Sequence, residues 1–370
     1  MSATDGAVSR LAIDLSAIQR NYRRLTTELG PGVACAPVVK ADAYGLGAAR
    51  VAPALANVGA RRFFVAQIEE GITLRALLAE AEIFVLNGLQ PGAEAEYEVH
   101  RLTPALNSLG EIDLWAGHCR ARGRALPAAV HLDTGMCRLG LPPVEVLTLI
   151  AQPQRLLDIR LLLMMSHLAC SDEPEHESNR RQLGLFQHWL RRLPAAPASL
   201  ANSSGIFLGP DYHFDLVRPG AALYGVNPIR NRSNPMEQVI GLEAKILQVR
   251  DVDMGTTVGY GAAHRVESVG VRVATVAVGY ADGYLRSASG RGLAYVGDRL
   301  VRVVGRVSMD LITIDVSEVA PERARPGAWV ELVGPHITLD EVAERAGTIG
   351  YEILTGLGRR HHRNYLDAAG

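Results

Sequence analysis

Short apolar runs alternate with segments of helical periodicity along the first part of the chain. The runs cover residues 33–40, 63–67, 83–87, 102–107, 128–134, 161–167, 200–203 and 214–218. Each has the length of a buried strand, and each is followed by a helical segment or a short helical turn. Near-continuous apolar strands of this kind are typical of buried parallel sheets. The pattern predicts an α/β fold, a (β/α)8 TIM barrel; the alternative is an open doubly wound sheet, but no GxGxxG motif follows a strand.

The periodicity changes after a polar stretch at residues 227–235. Beyond this stretch, apolar and polar positions alternate between turn residues, which favours an antiparallel sheet. Strands are predicted at 242–252, 271–279, 292–296, 300–307 and 311–316, with a hairpin turn within 296–300 and a helix at 339–346. We therefore predict a barrel domain at 10–235 and a β-rich C-terminal domain at 236–370. A short strand at 11–15 is a candidate to join the second domain.

The composition is that of an ordinary soluble protein. The 370 residues include 38 Lys and Arg against 39 Asp and Glu, a net charge of −1, so charge gives no argument for nucleic acid or a membrane surface. The four cysteines lack any metal-ligand spacing, which predicts reduced thiols and no metal site. No N-terminal apolar run has the length of a signal peptide or membrane span, so a cytoplasmic protein is expected.

A lysine ends the first apolar run. Lys40 is followed by Tyr44, Gly45 and Gly47, and then by a helical segment. Burial lowers the pKa of a lysine, and a neutral amine is what a Schiff base with a carbonyl requires. Glycines let the backbone approach a ligand, and the next helix presents its N-terminus to an anion. The segment predicts an amine beside a phosphate site, although a solvated lysine at a strand end is the commoner alternative.

Polar residues also follow other predicted strands. Catalytic groups of TIM barrels lie at the carboxyl ends of the strands, and phosphate is often bound after strands seven and eight. Taken singly, a buried histidine, a capping serine or an arginine in a turn is usually structural. Together they favour a ligand with a phosphate and a carbonyl, such as pyridoxal phosphate. The residues are Arg138, His167, Ser203, Arg218 and Gly220.

Arg218 is predicted to lie near the pyridine nitrogen of that cofactor, with His167 holding it by a hydrogen bond. An acidic residue at this place would keep the ring nitrogen protonated and make a deep electron sink. An arginine gives up no proton near neutrality. We therefore expect a chemistry that returns a proton to the α-carbon rather than transamination.

With these segments in place, the chain resembles the bacterial alanine racemase family, the fold-type III enzymes that use pyridoxal phosphate. The matching motifs follow the family's order over nearly the whole chain. They are VKADAYGLG (39–47), HLDTGMCRLG (131–140), MSHLACSD (165–172), ANSSG (201–205), VRPGAALYG (217–225), VGYGA (258–262), VGYADG (278–283) and GRVSMD (305–310).

The resemblance implies a role for each matching residue. Lys40 would carry the cofactor and act as the base on one face of the substrate. Tyr260 would act on the other face, from the partner subunit of a head-to-tail homodimer. Both side chains have ordinary pKa values near 10, so each needs a lowered pKa to serve near neutrality. The remaining roles implied are substrate-carboxylate binding by Arg138 and Met309, phosphate contacts by Tyr44, Ser203, Gly220 and Ala221, and an entry gate at Tyr280.

Two positions depart from the family pattern. Many members carry a carbamylated lysine where this chain has His131, so an anion such as chloride, or an imidazole, is expected to support Arg138 instead. Some members place a phosphate-contacting tyrosine near the C-terminus, where the nearest alignment gives Gly358. That contact is expected to be lost or replaced by water.

The resemblance predicts interconversion of L- and D-alanine, supplying D-alanine for peptidoglycan or opening a route for alanine catabolism. A decarboxylase of basic amino acids with the same fold is an alternative, against which Arg138, Met309 and the Tyr260 motif argue. A single-barrel carrier of pyridoxal phosphate would end near residue 230. A racemase with broader specificity, including serine, is compatible with the motifs.

Overall fold

The computed structural model describes residues 6–367. The described residues divide into a barrel unit, Ile18–Leu223 with Asn227–Met236, and a second unit of residues 6–17, Tyr224–Val226 and 237–367. The strands are β1 Ser9–Asp14, β2 Ala34–Cys35, β3 Arg62–Val65, β4 Glu82–Val85, β5 Leu102–Leu106, β6 Leu126–His131, β7 Ile159–Met165, β8 Ala198–Ser199, β9 Leu216–Val217, β10 Ile240–Val252, β11 Thr257–Val258, β12 His264–Arg265, β13 Val271–Val276, β14 Leu293–Val296, β15 Arg299–Val304, β16 Ile312–Asp315, β17 Trp329–Val333 and β18 His362–Leu366. The α-helices are Leu15–Thr26, Ala48–Asn57, Ile68–Leu77, Glu94–Val99, Leu109–Arg122, Pro143–Ala151, Glu177–Leu190, Leu339–Ala346 and Gly350–Gly356.

The barrel unit contains only parallel strand pairs in the part of the chain that the structure describes. Strands β3 to β8 form one ladder in chain order, and β2 pairs with β9. Single bridges, Val38 to Phe64 and Asn202 to Arg218, join the two ladders at both edges. The predicted barrel is therefore confirmed. The run predicted at 200–203 is wrong as a strand, because β8 ends at Ser199 and only Asn202 pairs beyond it.

Apolar sequence and good capping explain the units of this barrel. Phe63, Phe64 and Val65 of β3 are fully buried, as their apolar run predicts. The helix Leu109–Arg122 begins where Ser108 Oγ accepts a hydrogen bond from the Glu111 N–H, and it ends at Gly123 with a φ of 64°. The helix Ala48–Asn57 is the helical segment predicted after the first apolar run.

The second unit is built on the long strand β10. Its first half pairs with β1 and β17, and its second half pairs with β13. The order β13-β16-β15-β14-β17-β10, with β10 also paired to β13, closes an antiparallel barrel. The predicted antiparallel architecture and the hairpin between β14 and β15 are confirmed.

Four strands of this unit, β11, β12, β17 and β18, were not predicted. We recognised no strand signal for β17 or β18 in the sequence. Strand β18 pairs in parallel with β1. The longest helices described, Leu109–Arg122 and Glu177–Leu190, have 14 residues, and none of the helices within residues 6–367 is long and apolar enough to cross a bilayer.

Candidate active site

A left-handed turn follows the end of the first barrel strand. The N–H of Val39 donates to the carbonyl of Phe64, and Ala41 to Tyr44 then take φ values between 53° and 55°. Left-handed backbone costs about 1–2 kcal/mol per residue that has a Cβ atom. The turn is held by the Ala41 N–H, which donates to Glu70 Oε1 at 2.6 Å. The result is a fixed backbone immediately after Lys40.

We expected the helix after this turn, Ala48–Asn57, to offer its N-terminus to an anion of the ligand. This expectation is wrong in that a side chain of the protein already occupies the first N–H of the helix. The Ala48 N–H donates to Asp42 Oδ1 at 2.7 Å, so a carboxylate of the chain itself caps this helix. Such a carboxylate interacts favourably with the positive end of the helix dipole. The same contact fixes the left-handed turn.

The Lys40 amine is half-buried, and its pKa is lowered. Burial is the main cause, the positive charge of Arg138 adds to it, and the negative charge of Glu70 opposes it. Within residues 6–367 the amine makes no hydrogen bond or ion pair. The direction of the shift is the one that nucleophilic or basic use of a lysine requires.

Tyr44, Ser203 and Gly220 lie in one cluster, as the resemblance implies. Ser203 Oγ accepts hydrogen bonds from the N–H groups of Gly220, at 2.9 Å, and Ala222, at 3.2 Å. A Cβ atom on Gly220 would lie 2.2 Å from Tyr44 Oη, so the tyrosine packs where only glycine fits. Ala221 is buried and begins the 3-10 helix Ala221–Tyr224. Hydroxyls and backbone N–H groups in this arrangement suit a phosphate.

Arg218 is a buried cation held by neutral oxygens. Its Nη atoms donate to Ser199 Oγ and to the carbonyls of Ser166 and Leu200. Among the residues described, it has no carboxylate partner and its Nε–H makes no hydrogen bond. Burial lowers the pKa of Arg218 to about 9, which leaves the guanidinium charged at neutral pH.

The hydrogen bond predicted between His167 and Arg218 is wrong for the described residues, because the Arg218 Nη atoms donate to Ser199 Oγ and to two backbone carbonyls instead. Burial, followed by the charges of Arg218 and Arg138, holds the pKa of His167 well below its usual value. Its ring is therefore neutral near pH 7. His131 and Lys40 also lower this pKa.

A fully buried glutamine, which sequence reasoning missed, fixes the backbone at His167. Gln182 Nε2 donates to the His167 carbonyl at 2.8 Å and to Thr134 Oγ1 at 3.3 Å. Gln182 Oε1 accepts from the Ala169 N–H at 2.9 Å. Thr134 Oγ1 is in turn 2.7 Å from Ser166 Oγ. This network joins the loops that follow β6 and β7.

A side chain at the start of the exposed loop that carries Arg138 holds the loop's backbone. Asp133 Oδ1 accepts three hydrogen bonds, from the N–H groups of Gly135, Met136 and Cys137. The run Asp-Thr-Gly signals such a turn, and we did not use that signal. Arg138 itself is exposed and makes no hydrogen bond or ion pair within the described part of the chain.

His131 is buried and its orientation is set by Asn107. The amide nitrogen of Asn107 donates to the carbonyls of Ala105, at 2.8 Å, and Leu86, at 3.3 Å, so Asn107 Oδ1 faces the ring. His131 Nδ1 is 2.8 Å from that oxygen and must donate to it. Burial, then the charge of Arg218, lowers the pKa of His131 to about 4. The ring is neutral, and Nε2 carries a free lone pair.

Tyr260, Tyr280 and Met309 belong to the second unit, where all three side chains are exposed. The loops of Tyr280 and Met309 are joined by two backbone hydrogen bonds, from the Tyr280 N–H to the Ser308 carbonyl and from the Ala281 N–H to the Met309 carbonyl, both 3.0 Å.

Glycines shape the segment around Tyr260. Gly259 and Gly261 have φ values of 77° and 67°. A Cβ atom on Gly261 would lie 2.9 Å from Arg306 Nη1, so this arginine packs directly against the turn. The resemblance gave no role to Arg306.

Gly358 lies against the Tyr280 loop of the same unit. Its N–H donates to the Asp282 carbonyl at 3.0 Å, and a Cβ atom there would lie 2.7 Å from the Ala281 carbonyl. A larger residue at 358 requires this loop to move.

The structure thus groups the predicted residues in two sets, one in each unit. A parallel barrel with a half-buried lysine amine, a buried arginine and hydroxyls near backbone N–H groups defines a class of barrel enzymes that bind a ligand with an anionic group and a carbonyl. The family model "Alanine racemase, N-terminal domain" matches residues 13–228, and "Alanine racemase, C-terminal domain" matches residues 239–365. The chain belongs to the alanine racemase family and is an enzyme, as predicted.

Curated relatives and solved structures agree with this assignment. The alanine racemase of Rhodospirillum rubrum is 52% identical over 99% of this chain and 98% of the relative. A catabolic alanine racemase of Agrobacterium fabrum is 49% identical over 98% of this chain and 94% of its own. The crystal structure of the Bartonella henselae alanine racemase, which has covalently bound pyridoxal phosphate, has a TM-score of 0.94 and 42% identity, covering 97% of this chain and 100% of its own.

Proposed function

We propose that the protein interconverts L- and D-alanine with bound pyridoxal phosphate. The observation that carries the proposal is a group of three cations, Lys40, Arg138 and Arg218, in the barrel unit. None of the three has a carboxylate partner within residues 6–367. Cations without internal partners favour a ligand that is itself anionic.

The residues present fit pyridoxal phosphate. The hydroxyls of Tyr44 and Ser203 would hold the phosphate, with the Ser203 oxygen positioned by the Gly220 N–H. The Nε–H of Arg218 would donate to the pyridine nitrogen, and the Lys40 amine would attach to the carbonyl. When bound, this cofactor withdraws electrons from the α-carbon of the amino acid and makes its hydrogen acidic.

Arg218 biases the chemistry towards racemisation. It donates a hydrogen bond but holds no proton that it transfers near neutrality. The neutral His167 nearby likewise adds no charge. We expect these two residues to favour return of a proton to the α-carbon over its transfer elsewhere.

Two bases on opposite faces of the α-carbon complete the proposed mechanism. Lys40, with its lowered pKa, takes or returns the proton on one face. Tyr260 does so on the other face and is supplied by the second subunit of a homodimer. The 72% exposure of Tyr260 supports this assignment, because a side chain presented to solvent is available to another subunit.

We propose that His131 takes the place of the family's carbamylated lysine. The free lone pair on Nε2 makes the imidazole an acceptor for the Arg138 guanidinium, which is near enough to lower the His131 pKa. Arg138, steadied in this way, binds the substrate carboxylate together with the backbone of Met309. Tyr280 limits access to the site.

The proposal covers D-alanine supply for peptidoglycan and alanine catabolism, because a racemase approaches the same equilibrium from either enantiomer. We place the enzyme in the cytoplasm, and we keep 10–235 and 236–370 as the proposed domains.

The experiment that tests this function follows D-alanine formation from L-alanine by chiral chromatography. Wild-type protein purified with pyridoxal phosphate should approach equal amounts of the two enantiomers, and Lys40→Ala should form no D-alanine. If the wild-type protein binds the cofactor and forms no D-alanine, the assignment to alanine is wrong. Serine and lysine, assayed in parallel, distinguish a strict alanine racemase from one of broader specificity.

A further inference from the structure

An arginine near the C-terminus bridges two acidic residues of the second unit. Arg360 Nε and Nη2 donate to the two carboxylate oxygens of Asp282, at 2.7 and 2.9 Å. Its Nη1 donates to Asp310 Oδ1 at 2.6 Å. Asp282 is only 4% exposed, and its carboxylate also accepts a hydrogen bond from the Gly279 N–H at 2.9 Å. The contact with Asp282 is a two-point fork that a lysine cannot reproduce.

The two acidic residues stand on two different loops. Asp282 closes the 3-10 helix that begins at Tyr280, and Asp310 directly follows Met309. Backbone hydrogen bonds already join these loops at Ala281 and Met309. Arg360 therefore adds a side-chain bridge between the segments whose residues are proposed to meet the substrate.

The segment around Arg360 is itself anchored. The N–H of Gly358 and the ring Nε2 of His361 both bond to the Asp282 carbonyl, at 3.0 and 2.8 Å. His361 is buried, and its Nδ1 is 3.0 Å from Ser9 Oγ on β1. The guanidinium is thus presented from a fixed backbone.

We propose that Arg360 is a positioning residue that holds the Tyr280 and Met309 loops in the arrangement that binds the amino acid substrate. The proposal rests on the roles of Tyr280 and Met309 in the proposed function. The proposal predicts that loss of the bridge changes substrate binding but not cofactor binding, because the proposed cofactor contacts lie in the barrel unit.

A purely stabilising role for Arg360 predicts that its substitution lowers the stability of the fold without a selective change in substrate binding. The contact with Asp310 joins side chains that are 52% and 56% exposed, and exposed ion pairs contribute little to stability. The fork to Asp282 satisfies a buried carboxylate, so its loss destabilises the loop. Asp310→Asn therefore weakens the bridge without leaving a buried charge unpaired.

The test compares the holoenzyme forms of Arg360→Lys, Arg360→Ala and Asp310→Asn with wild type. We expect the KM for alanine to rise about tenfold or more in the Arg360 variants, which lose the two-point fork to Asp282, and by less in Asp310→Asn, which keeps that fork. The Kd for pyridoxal phosphate should stay within about twofold of the wild-type value, which is a smaller change than the loss of a hydrogen bond to the cofactor would cause. The control is Arg10→Ala, which removes another partly exposed arginine pair, with Glu243, in the same unit.

The outcomes separate the alternatives. An unchanged KM in folded Arg360→Lys and Asp310→Asn overturns the proposal, and so does a rise in KM matched by an equal loss of cofactor. If Arg360→Ala does not fold, the other two variants decide. Failure of the proposed function is distinct, because wild type itself would then form no D-alanine. In the double variant Arg360→Ala with Asp310→Asn, a KM no higher than that of Arg360→Ala alone supports one shared bridge, and an additive rise contradicts it.

Discussion

At the scale of single residues, the neighbours of each ionisable side chain in the barrel unit determine whether that side chain is charged or neutral. Arg218 bonds to a hydroxyl and to carbonyls, so its charge is solvated without being neutralised. His131 and His167 lie close to cations, which favours their neutral forms. The site therefore offers cationic donors and neutral imidazoles to a ligand at pH 7.

The neutral state of His131 predicts acid sensitivity. An unfolded histidine has a pKa near 6.5, and burial lowers that of folded His131 to about 4. Its contribution to stability is present above about pH 6.5 and is lost as the pH falls towards 4. Between pH 8 and pH 5 this group alone should cost about 2 kcal/mol of unfolding free energy.

Urea unfolding of wild type and His131→Asn at both pH values measures this effect. The other titrating groups are common to the two proteins, so the difference isolates His131. An equal loss of stability in the two proteins would mean that His131 is already protonated or exposed in the folded state.

Gly220 predicts the effect of a single added methyl group. In Gly220→Ala, the Cβ atom would lie 2.2 Å from Tyr44 Oη and force the tyrosine to move. Overpacking costs about 1–3 kcal/mol, so pyridoxal phosphate should bind about tenfold more weakly or worse. Cofactor titration followed by absorbance checks this expectation. Gly184→Ala is the control, because no atom lies within 4 Å of a Cβ there, and wild-type affinity in Gly220→Ala would contradict the phosphate assignment.

At the scale of elements, the left-handed turn after Lys40 is the least ordinary part of the backbone. Four residues with Cβ atoms, Ala41 to Tyr44, adopt it together, and Asp42 and Glu70 bond to backbone N–H groups at either end. Glu70 also accepts from the N–H groups of Ala66 and Gln67 at the start of its own helix. One carboxylate thus fixes both the helix start and the turn.

Removing the negative charge of Glu70 is expected to change the pH at which the Lys40 amine becomes reactive. Its negative charge raises the Lys40 pKa against the effect of burial, so Glu70→Gln should lower that pKa further. The amine would then become neutral at a lower pH. The pH midpoint of the rate at which pyridoxal phosphate attaches to the apoprotein should move to lower pH. Glu69→Gln is the control, and a midpoint that stays in place or rises in Glu70→Gln would show that this charge does not reach the amine.

The elements of the barrel were predictable because their signal is local. Apolar runs separated by helical periodicity located the barrel strands except the one expected at 200–203, which the structure has as β8, and the hairpin between β14 and β15 followed from its turn residues. The left-handed turn was not predictable, since Ala41 and Ala43 carry no local preference for it. Arg360, Gln182 and Asn107 were missed for a different reason. Their partners are distant in sequence, as between Asn107 and His131, 24 residues apart, and Arg360 and Asp282, 78 apart.

At the scale of the whole molecule, the proposed bases belong to different units of the chain. Lys40 stands in the barrel unit, and Tyr260 stands on an exposed turn of the second unit. The sequence motifs identify both residues but carry no information on which subunits combine. Closed two-fold dimers repeat each contact twice, so a shared site would occur twice per dimer.

Mixing two inactive variants tests whether the sites are shared. Lys40→Ala lacks one base, and Tyr260→Phe should keep the cofactor but lose most turnover. In a mixed dimer, one site would combine the intact lysine of one subunit with the intact tyrosine of the other, and the second site would lack both. Unfolding and refolding an equal mixture makes about half of the dimers mixed, so about a quarter of wild-type activity should return. Separately refolded variants are the controls, and activity that stays at their level would place Tyr260 in the site of its own subunit.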